Sequence, residues 1–305
     1  MRTILLIVAI SIFFIFGCSE EESPTQNPPT NATLKLNING LEDLGSTARY
    51  EGWIIVPTLS KSSSIMEDMP ISTGAFTVNS SGTLSQTDFV VDPTNLANAT
   101  AFVLTIEPNP DTDPNPSAIH ILAGDFNGNT SSVSVDHSAA LGNDFTSAIG
   151  SYILATPTDG AMTNENSGIW FLDLSSGSPE QGLFLPTLPN GWKYEGWTVI
   201  NGTPVTTGTF TSTTVVDDGE PYSSTLPGPS FPGEDFLINP PAGLSFPTDI
   251  AGGVAVISVE PDPDNSSNPF TLKPLVGDIP MNATDHLNYN MSTNLSSFPT
   301  GTVTR

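Results

Sequence analysis

The sequence has 305 residues, and its 32 acidic side chains outnumber its 7 basic ones, giving a formal net charge of −25. Nucleic-acid binding depends on clustered Lys and Arg that neutralise phosphates, so this charge argues against a nucleic-acid partner. Charged residues make up 13% of the chain, about half the usual share, so we expect a surface rich in Ser, Thr, Asn and Gly, as in many β proteins.

The N-terminus has the pattern of an export signal. Arg2 precedes the apolar run Ile4–Phe16, which is too short to span a bilayer and has the length of a secretory signal core. The run is followed by Gly17-Cys18, which resembles a bacterial lipoprotein cleavage site. We therefore predict a signal peptide at residues 1–17 and lipidation of Cys18, with palmitate among the acyl chains. The alternative is a buried structural cysteine.

Residues 18–33 are predicted to form a tether. They are rich in Ser, Pro, Thr and Asn, which is typical of flexible segments, and Glu20-Glu21-Glu22 closely follow the cysteine. This acidic run resembles a tag that directs some bacterial lipoproteins to the cell surface, and the alternative is a plain solvated linker. We expect an exported protein that is held by its lipid at the bacterial outer membrane, or at the cell surface if the tag acts.

Four short motifs occur twice in the same order, which predicts an internal duplication. The pairs are Tyr50-Glu51-Gly52-Trp53 with Tyr194-Glu195-Gly196-Trp197, Pro70–Thr77 with Pro204–Thr211, Phe102–Pro108 with Ala255–Pro261, and Gly124-Asp125 with Gly277-Asp278. The correspondence continues to Gly150 and Gly301. We predict two related units, at residues 34–150 and 151–305.

Both units have the pattern of β structure. Apolar residues alternate with polar ones in short segments bounded by Gly, Pro and Asn, as at Leu34-Leu36-Ile38 and Phe102-Leu104-Ile106. No helix of ten residues is apparent after the signal. This predicts an all-β fold of two tandem sandwich or Greek-key-like domains. The second unit carries a long Pro-rich loop near residues 215–250, where so many prolines exclude a central strand.

The order of these motifs resembles the extracytoplasmic, C-terminal domain of the anti-sigma-K factor family. Each unit has a Leu-x-x-Leu element, then Tyr-x-x-Trp, then Pro-x-Ser/Thr-x-Gly-x-Phe, and then an apolar strand that ends in Glu-Pro. The resemblance implies one β-rich domain per unit outside the membrane and a link to envelope signalling. In that family, a membrane helix and a cytosolic zinc-finger-like segment accompany this domain.

The sequence lacks the elements by which that family restrains a sigma factor. It shows neither a membrane helix nor a His/Cys segment, and a lipid-anchored chain would lie outside the cytoplasm. We therefore expect that this protein does not sequester a sigma factor itself. Any regulatory role would be that of an envelope partner or sensor, and it would rest on domain similarity alone.

The sequence offers few catalytic candidates. It contains no Gly-x-Ser-x-Gly, no His-Glu-x-x-His and no second cysteine, so we predict a protein without enzymatic activity. Trp192 follows Asn190-Gly191 and is expected to lie in a turn, where an exposed aromatic could bind a ligand such as a sugar. The tryptophans of the Tyr-x-x-Trp motifs are expected to be packing residues.

Oxygen-rich loops suggest a metal site. Alternating Asp and Asn side chains can present several oxygens to Ca²⁺, which takes 6–8 oxygen ligands. The candidate ligands are Asp111, Asp113, Asp125, Asn127, Asn129, Asp262 and Asp264. The alternative is that these residues form solvated turns, where Asp and Asn bond to their own backbone. No other cofactor is expected.

Together these features predict a non-enzymatic envelope lipoprotein that acts as a binding or sensing module. Its expected partners are the membrane, through the lipid on Cys18, and an envelope protein or glycan that the sequence does not identify. The alternative function is that of a surface adhesin or glycan-binding lipoprotein stabilised by Ca²⁺.

Overall fold

The structure is a computed structural model, and it describes residues 31–59, 66–219, 221–264 and 266–305. Strands and turns dominate, and the helical elements are α1 (Pro93–Asn98) and two 3₁₀ turns, Glu165–Ser167 and Leu295–Ser297. The predicted all-β class is therefore confirmed. No helix within these ranges is long and apolar enough to cross a membrane. The predicted signal peptide and Cys18 lie outside the described residues.

Nineteen strands are found in the described part of the chain. In chain order they are β1 (Ala32–Asn39), β2 (Ala48–Leu59), β3 (Met66–Phe76), β4 (Asp88–Val91), β5 (Ala101–Pro108), β6 (His120–Asn127), β7 (Thr130–Val133), β8 (Ile149–Leu154), β9 (Gly168–Trp170), β10 (Leu172–Asp173), β11 (Glu180–Gln181), β12 (Leu183–Phe184), β13 (Trp192–Ile200), β14 (Thr203–Phe210), β15 (Gly233–Asp235), β16 (Val254–Pro261), β17 (Leu275–Asp278), β18 (Tyr289–Thr293) and β19 (Thr300–Thr304).

Two large antiparallel sheets contain most of these strands. The first has the spatial order β3-β2-β5-β6-β7-β19-β1-β4. The second has the order β14-β13-β16-β17-β18-β8-β9-β15, with β12 paired to β8. Strands β10 and β11 form a separate ribbon. The two orders correspond strand by strand, which agrees with the duplication found in the sequence.

The two repeats exchange their last strands. Gly150 in β8 and Gly301 in β19 occupy matching positions, so these strands end the first repeat (β1–β8) and the second repeat (β9–β19). Strand β8 lies in the second sheet between β18 and β9, whereas β19 lies in the first sheet between β7 and β1. Each sheet is therefore completed by a strand of the other repeat. The predicted boundary at residues 150 and 151 falls inside β8, and the division into two domains stays a prediction.

Each sheet curls so that its two outer strands approach each other. In the first sheet, Phe76 at the end of β3 packs on Phe89 in β4, with 5.9 Å between ring centroids. Gly74 (φ +122°) lies directly over Phe89, where a Cβ would be 3.1 Å from the ring. Most of the buried apolar residues of both sheets belong to one contiguous cluster. The exchanged strands contribute to it through residues such as Val303 and Tyr152, which are fully buried.

The Tyr-x-x-Trp motifs make the same contacts in both repeats. The indole N–H of Trp53 donates to Thr105 Oγ1 at 2.9 Å, and that of Trp197 donates to Ser258 Oγ at 2.8 Å. Tyr50 packs in the main cluster, whereas Trp53 packs in a smaller one with Val103. The expectation that these tryptophans are packing residues is confirmed, because both are buried.

The long Pro-rich loop of the second repeat is anchored by an edge strand. Strand β15 pairs with β9, opposite Gly168–Trp170. The buried Asp235 carboxylate accepts hydrogen bonds from the indole of Trp170 and from the amide of Thr158, both at 2.8 Å. Because β15 is a short edge strand, the prolines around it remove no hydrogen bond from the centre of the sheet.

Candidate functional site

A cavity of about 570 Å³ opens where loops of the two repeats meet. The first repeat supplies the segment 42–48, between β1 and β2, and residues at and beyond the end of β5. The second repeat supplies residues 261–264, Ser266 and Phe270, at and beyond the end of β16. Strand β5 ends there because its Glu-Pro pair introduces a proline, and the same pair ends β16. The duplicated motif therefore places both loops beside the cavity.

The cavity combines carboxyl groups with apolar side chains. Its acidic lining residues are Glu42, Asp43, Glu107, Asp262 and Asp264. No Lys, Arg or His lines it among the described residues. Its apolar lining includes Leu44, Ile106, Ile119 and Phe270. A ligand that matches this lining is positively charged and has an apolar part, because the charge is attracted by the carboxylates and the apolar part loses contact with water.

Glu42 connects the two repeats at the edge of the cavity. Burial raises the pKa of its carboxyl group to about 7, while a hydrogen bond from the Thr271 amide and the charge of Lys273 favour its ionised form. Lys273 lies in the second repeat, and its ammonium group donates to the carbonyl of Phe270 at 2.7 Å. Glu42 is therefore held at the junction by groups of the other repeat.

A group of three carboxylates lies beside the cavity wall. Glu195 in β13, Glu260 in β16 and Asp264 in the following loop each present an oxygen, and these atoms lie within 4.8 Å of one another. Glu260 is paired with Lys193, two residues before Glu195, so both glutamates project from the same face of neighbouring strands. Both are buried, whereas Asp264 is half-buried and lines the cavity.

Burial determines the electrostatics of this group. Loss of hydration raises the pKa of Glu195 to about 7 and that of Glu260 to about 8, and the negative charge of Asp264 raises both. Thr206 Oγ1 donates to Glu195 Oε1, and the Phe270 amide donates to Glu260 Oε1 at 2.8 Å. The Oε2 atoms of both glutamates are buried and have no hydrogen-bond partner among the described residues.

The first repeat has counterparts of these residues in a different setting. Glu51, Glu107 and Asp111 match Glu195, Glu260 and Asp264 in the duplication. The Arg49 guanidinium lies 3.7 Å from Glu51, and Glu107 Oε1 accepts from the Ser117 amide at 2.9 Å and from Thr105 Oγ1. In the second repeat, Lys193 replaces Arg49, and its ammonium group instead contacts Asp218 at 2.9 Å.

Three of the predicted calcium ligands, Asp111, Asp113 and Asp264, bond to the backbone of their own loops, and Asp264 Oδ1 accepts from the Ser266 amide at 2.8 Å. Asp111 Oδ1 accepts from the Asp113 amide at 2.9 Å, and Asp113 Oδ1 accepts from the Asn115 amide at 3.0 Å. Both aspartates therefore bond to their own loop, as the alternative interpretation expects. Asp262 lines the cavity, and its carboxylate lies 3.9 Å from the Lys193 ammonium group.

The second predicted loop is joined to β19. Asp125 Oδ1 lies 3.4 Å from His137 Nε2. Asn127 and Asn129 flank the β6–β7 turn, whose Gly128 and Asn129 carbonyls accept hydrogen bonds from the Arg305 guanidinium and amide. A calcium role for this loop stays a prediction.

Asp264 is the predicted ligand that the fold brings together with other acids. Its partners Glu195 and Glu260 were not proposed from the sequence, because each stands in an apolar strand segment where a packing role is expected. A signal was nevertheless present, since both acids recur in the duplicated motifs Tyr-Glu-Gly-Trp and Glu-Pro. An acid that is repeated within a buried strand has to find partners inside the fold.

The prediction that Trp192 is exposed in a turn is wrong. Trp192 begins β13, has 3% of its surface exposed, and packs against Phe270 with 6.1 Å between ring centroids. The turn ends one residue earlier, at Gly191 (φ +88°), where the chain passes close to Ala118. Long-range packing thus covers a side chain whose local sequence suggests exposure.

Comparisons with known proteins identify no relative of this chain. No protein-family model matches it, and neither the curated proteins nor the solved structures contain a significant match. The resemblance to the anti-sigma-K factor family therefore stays a prediction, and the candidate site rests on geometry alone.

Proposed function

We propose that this chain is an exported, lipid-anchored protein of a bacterial envelope, and that it acts as a non-enzymatic binding module through the cavity between its two repeats. The observation that carries this proposal is the acidic and apolar lining of the cavity, with no basic side chain among its described residues. We propose a ligand with a positive charge and a hydrocarbon part, such as an alkylamine or a basic side chain of an envelope protein.

The place of the protein in the envelope is proposed from its N-terminal sequence. The apolar run before Cys18 supports export, and the acidic residues after it support a tether to the outer membrane or cell surface. The resemblance of both repeats to the anti-sigma-K factor family supports a sensing role in envelope signalling. A lipid-anchored chain would have no access to a cytoplasmic sigma factor, so the sensor would act through another envelope protein.

A glycan-binding role has less support in the described residues. All four tryptophans are buried, so none offers an exposed face on which a sugar ring could stack. The acidic cavity also has no aromatic lining residue other than Phe270 among those described. A cationic ligand therefore agrees better with the lining than a neutral sugar.

Three six-carbon probes test the ligand class. Hexylamine, hexanol and hexanoate share a chain length but differ in charge, so a calorimetric titration separates charge from apolar contact. We expect hexylamine to bind with a Kd of about 1 mM, which corresponds to about −4 kcal/mol, and to bind at least about 10-fold more tightly than the other two. Equal or tighter binding of hexanoate would contradict the proposal.

A cavity variant locates the binding. Thr47 is exposed and lines the cavity, so Thr47→Trp should fill its mouth and abolish hexylamine binding without disturbing the core. Ser80→Trp introduces the same side chain at an exposed turn on the β3–β4 connection and should leave binding unchanged. Loss of binding in both variants, or in neither, would place the ligand elsewhere.

The anchor is tested separately. Cys18→Ala should abolish incorporation of labelled palmitate and move the protein from the detergent phase to the aqueous phase in Triton X-114. Wild-type partitioning of this variant would argue against lipidation of Cys18.

A further inference from the structure

The carboxylates of Glu195, Glu260 and Asp264 have the geometry of an oxygen-ligand site. Their three nearest oxygens lie within 4.8 Å of one another, so an ion between them can lie no farther than about 2.8 Å from each. Ca²⁺ binds oxygens at about 2.3–2.6 Å, whereas Mg²⁺ requires about 2.0–2.1 Å and an octahedral arrangement. The spacing thus suits Ca²⁺ better, and the three carboxylates would supply one oxygen each to the ion.

A second observation, independent of the clustering, is that each of the two glutamates has a buried oxygen without a hydrogen-bond partner among the described residues. Glu195 and Glu260 are 5% and 1% exposed, and their Oε2 atoms lack any hydrogen-bond partner among the described residues. Buried carboxylate oxygens are normally paired with a donor or a cation. The Oε1 atoms are already held by Thr206 and Phe270, so the two side chains are oriented while their other oxygens remain available.

The nearby basic side chains are engaged with other groups. The Lys193 ammonium group contacts Asp218 at 2.9 Å and Asp262 at 3.9 Å. The charge of Lys273 acts on Glu260, but its ammonium group donates to the Phe270 carbonyl. Neither lysine is hydrogen-bonded to Glu195 or Glu260 in the described structure. The positive charges of the lysines therefore only partly neutralise the three carboxylates, which can still attract a cation.

We propose that Glu195, Glu260 and Asp264 bind one Ca²⁺ ion at the wall of the cavity. Asp264 reaches the ion from the loop after β16, so binding fixes this loop to the second sheet. Water completes the coordination from the cavity side. The site belongs to the second repeat alone, because the Arg49 guanidinium already lies 3.7 Å from Glu51 in the first repeat. This inference does not depend on the proposed amine ligand or on lipidation.

The test is a calorimetric titration of the EDTA-treated full chain in detergent with CaCl₂. We expect one site per chain with a Kd between about 10⁻⁵ M, the weak end of the sensor range, and about 10⁻³ M, the weak end of the extracellular range. Binding of MgCl₂ should be at least about 10-fold weaker. Glu260→Gln and Asp264→Asn should each weaken Ca²⁺ binding at least about 10-fold. The half-buried Asp264 lies in a loop, so its variant should keep the fold even if Glu260→Gln does not.

The first repeat supplies matched controls. Glu107→Gln and Asp111→Asn make the same changes at the corresponding positions and should leave the Ca²⁺ affinity within about 2-fold of wild type. Thr47→Trp should also bind Ca²⁺ normally, which separates this site from the amine proposal. The inference is overturned if the wild-type chain shows no Ca²⁺ binding, or if Asp111→Asn weakens binding as much as Asp264→Asn does.

Discussion

Replacing Asn37 and Thr302 by cysteine should produce a disulfide within one molecule, because β1 and β19 are neighbours in the first sheet. Asn37 in β1 faces Thr302 in β19, and both side chains are at least partly exposed. Facing residues of antiparallel strands have Cα atoms about 4.5–5.5 Å apart, which is within the range that a disulfide spans. Cys18→Ser is included so that no other thiol competes.

The size of the effect follows from the length of chain that the disulfide closes. About 265 residues separate Asn37 from Thr302, and the chain-entropy relation gives a stabilisation of about 5.6 kcal/mol for such a loop. Strain in the disulfide reduces this value, so it is an upper figure. For a chain of this size it corresponds to a rise in Tm of about 10 °C. Oxidised and reduced samples compared by calorimetry would measure it.

The duplication provides a control that distinguishes the exchanged fold from an unexchanged one. Ser151 in β8 faces Asn290 in β18, and Thr302 occupies the matching position of Ser151 in the second repeat. Without exchange, Thr302 would face Asn290. We therefore expect that the variant Asn290→Cys/Thr302→Cys forms no intramolecular disulfide. The variant Ser151→Cys/Asn290→Cys should form one. A disulfide in the first of these controls, combined with none between positions 37 and 302, would refute the strand exchange.

Two further predictions concern buried charge and the end of β19. Burial raises the pKa of Glu195, Glu234 and Glu260 to between about 7 and 8, so the stability they contribute is complete below about pH 4.5 and is lost as the pH rises through these values. In EDTA, the Glu260→Gln variant should be about 2 kcal/mol more stable than wild type at pH 9 and about equally stable at pH 5. Urea unfolding of both proteins at both pH values would measure this. A stability difference that is the same at pH 5 and pH 9 would contradict the prediction. Arg305 donates to the carbonyls of Leu96 and Ala99, both at 2.7 Å, and its guanidinium lies 4.4 Å from the ring centroid of Phe126. Arg305→Ala should lower the free energy of unfolding in urea by about 1–3 kcal/mol. Arg305→Lys should not restore the lost stability, because an ammonium group lacks the planar donor arrangement of a guanidinium group. Wild-type stability of the lysine variant would contradict this account.

The class of fold could be predicted from the sequence because it depends on local patterns. Alternating apolar residues define strands such as β1, and turn residues bound them, so the all-β prediction needs no knowledge of distant contacts. The duplicated motifs likewise predicted that the halves have related strands. The three-residue distance between Tyr50 and Trp53 places the two rings on opposite faces of the strand, so at least one of them was expected in the core, and the recurrence of the pair in the second repeat favoured a packing role.

The candidate site could be predicted only in part. Asp264 was proposed as a metal ligand from its loop, which is a local feature. Its partners depend on the register between β13 and β16, which aligns Glu195 and Glu260 on one face, and no local pattern encodes that register. Trp192 shows the same limit, because its burial comes from Phe270, nearly eighty residues away along the chain.

The sequence by itself determined the strands, the duplication and the acidic character of the connecting loops, since all three follow from residue types over short distances. Only the tertiary structure decided which sheet receives each final strand. Strands β8 and β19 have matching positions in the two repeats, so either could pair with the same neighbours by pattern alone. Long-range contacts distinguish them: Arg305, directly after β19, donates to carbonyls of Leu96, Ala99 and Gly128, all in the first repeat, and these contacts hold β19 in the first sheet.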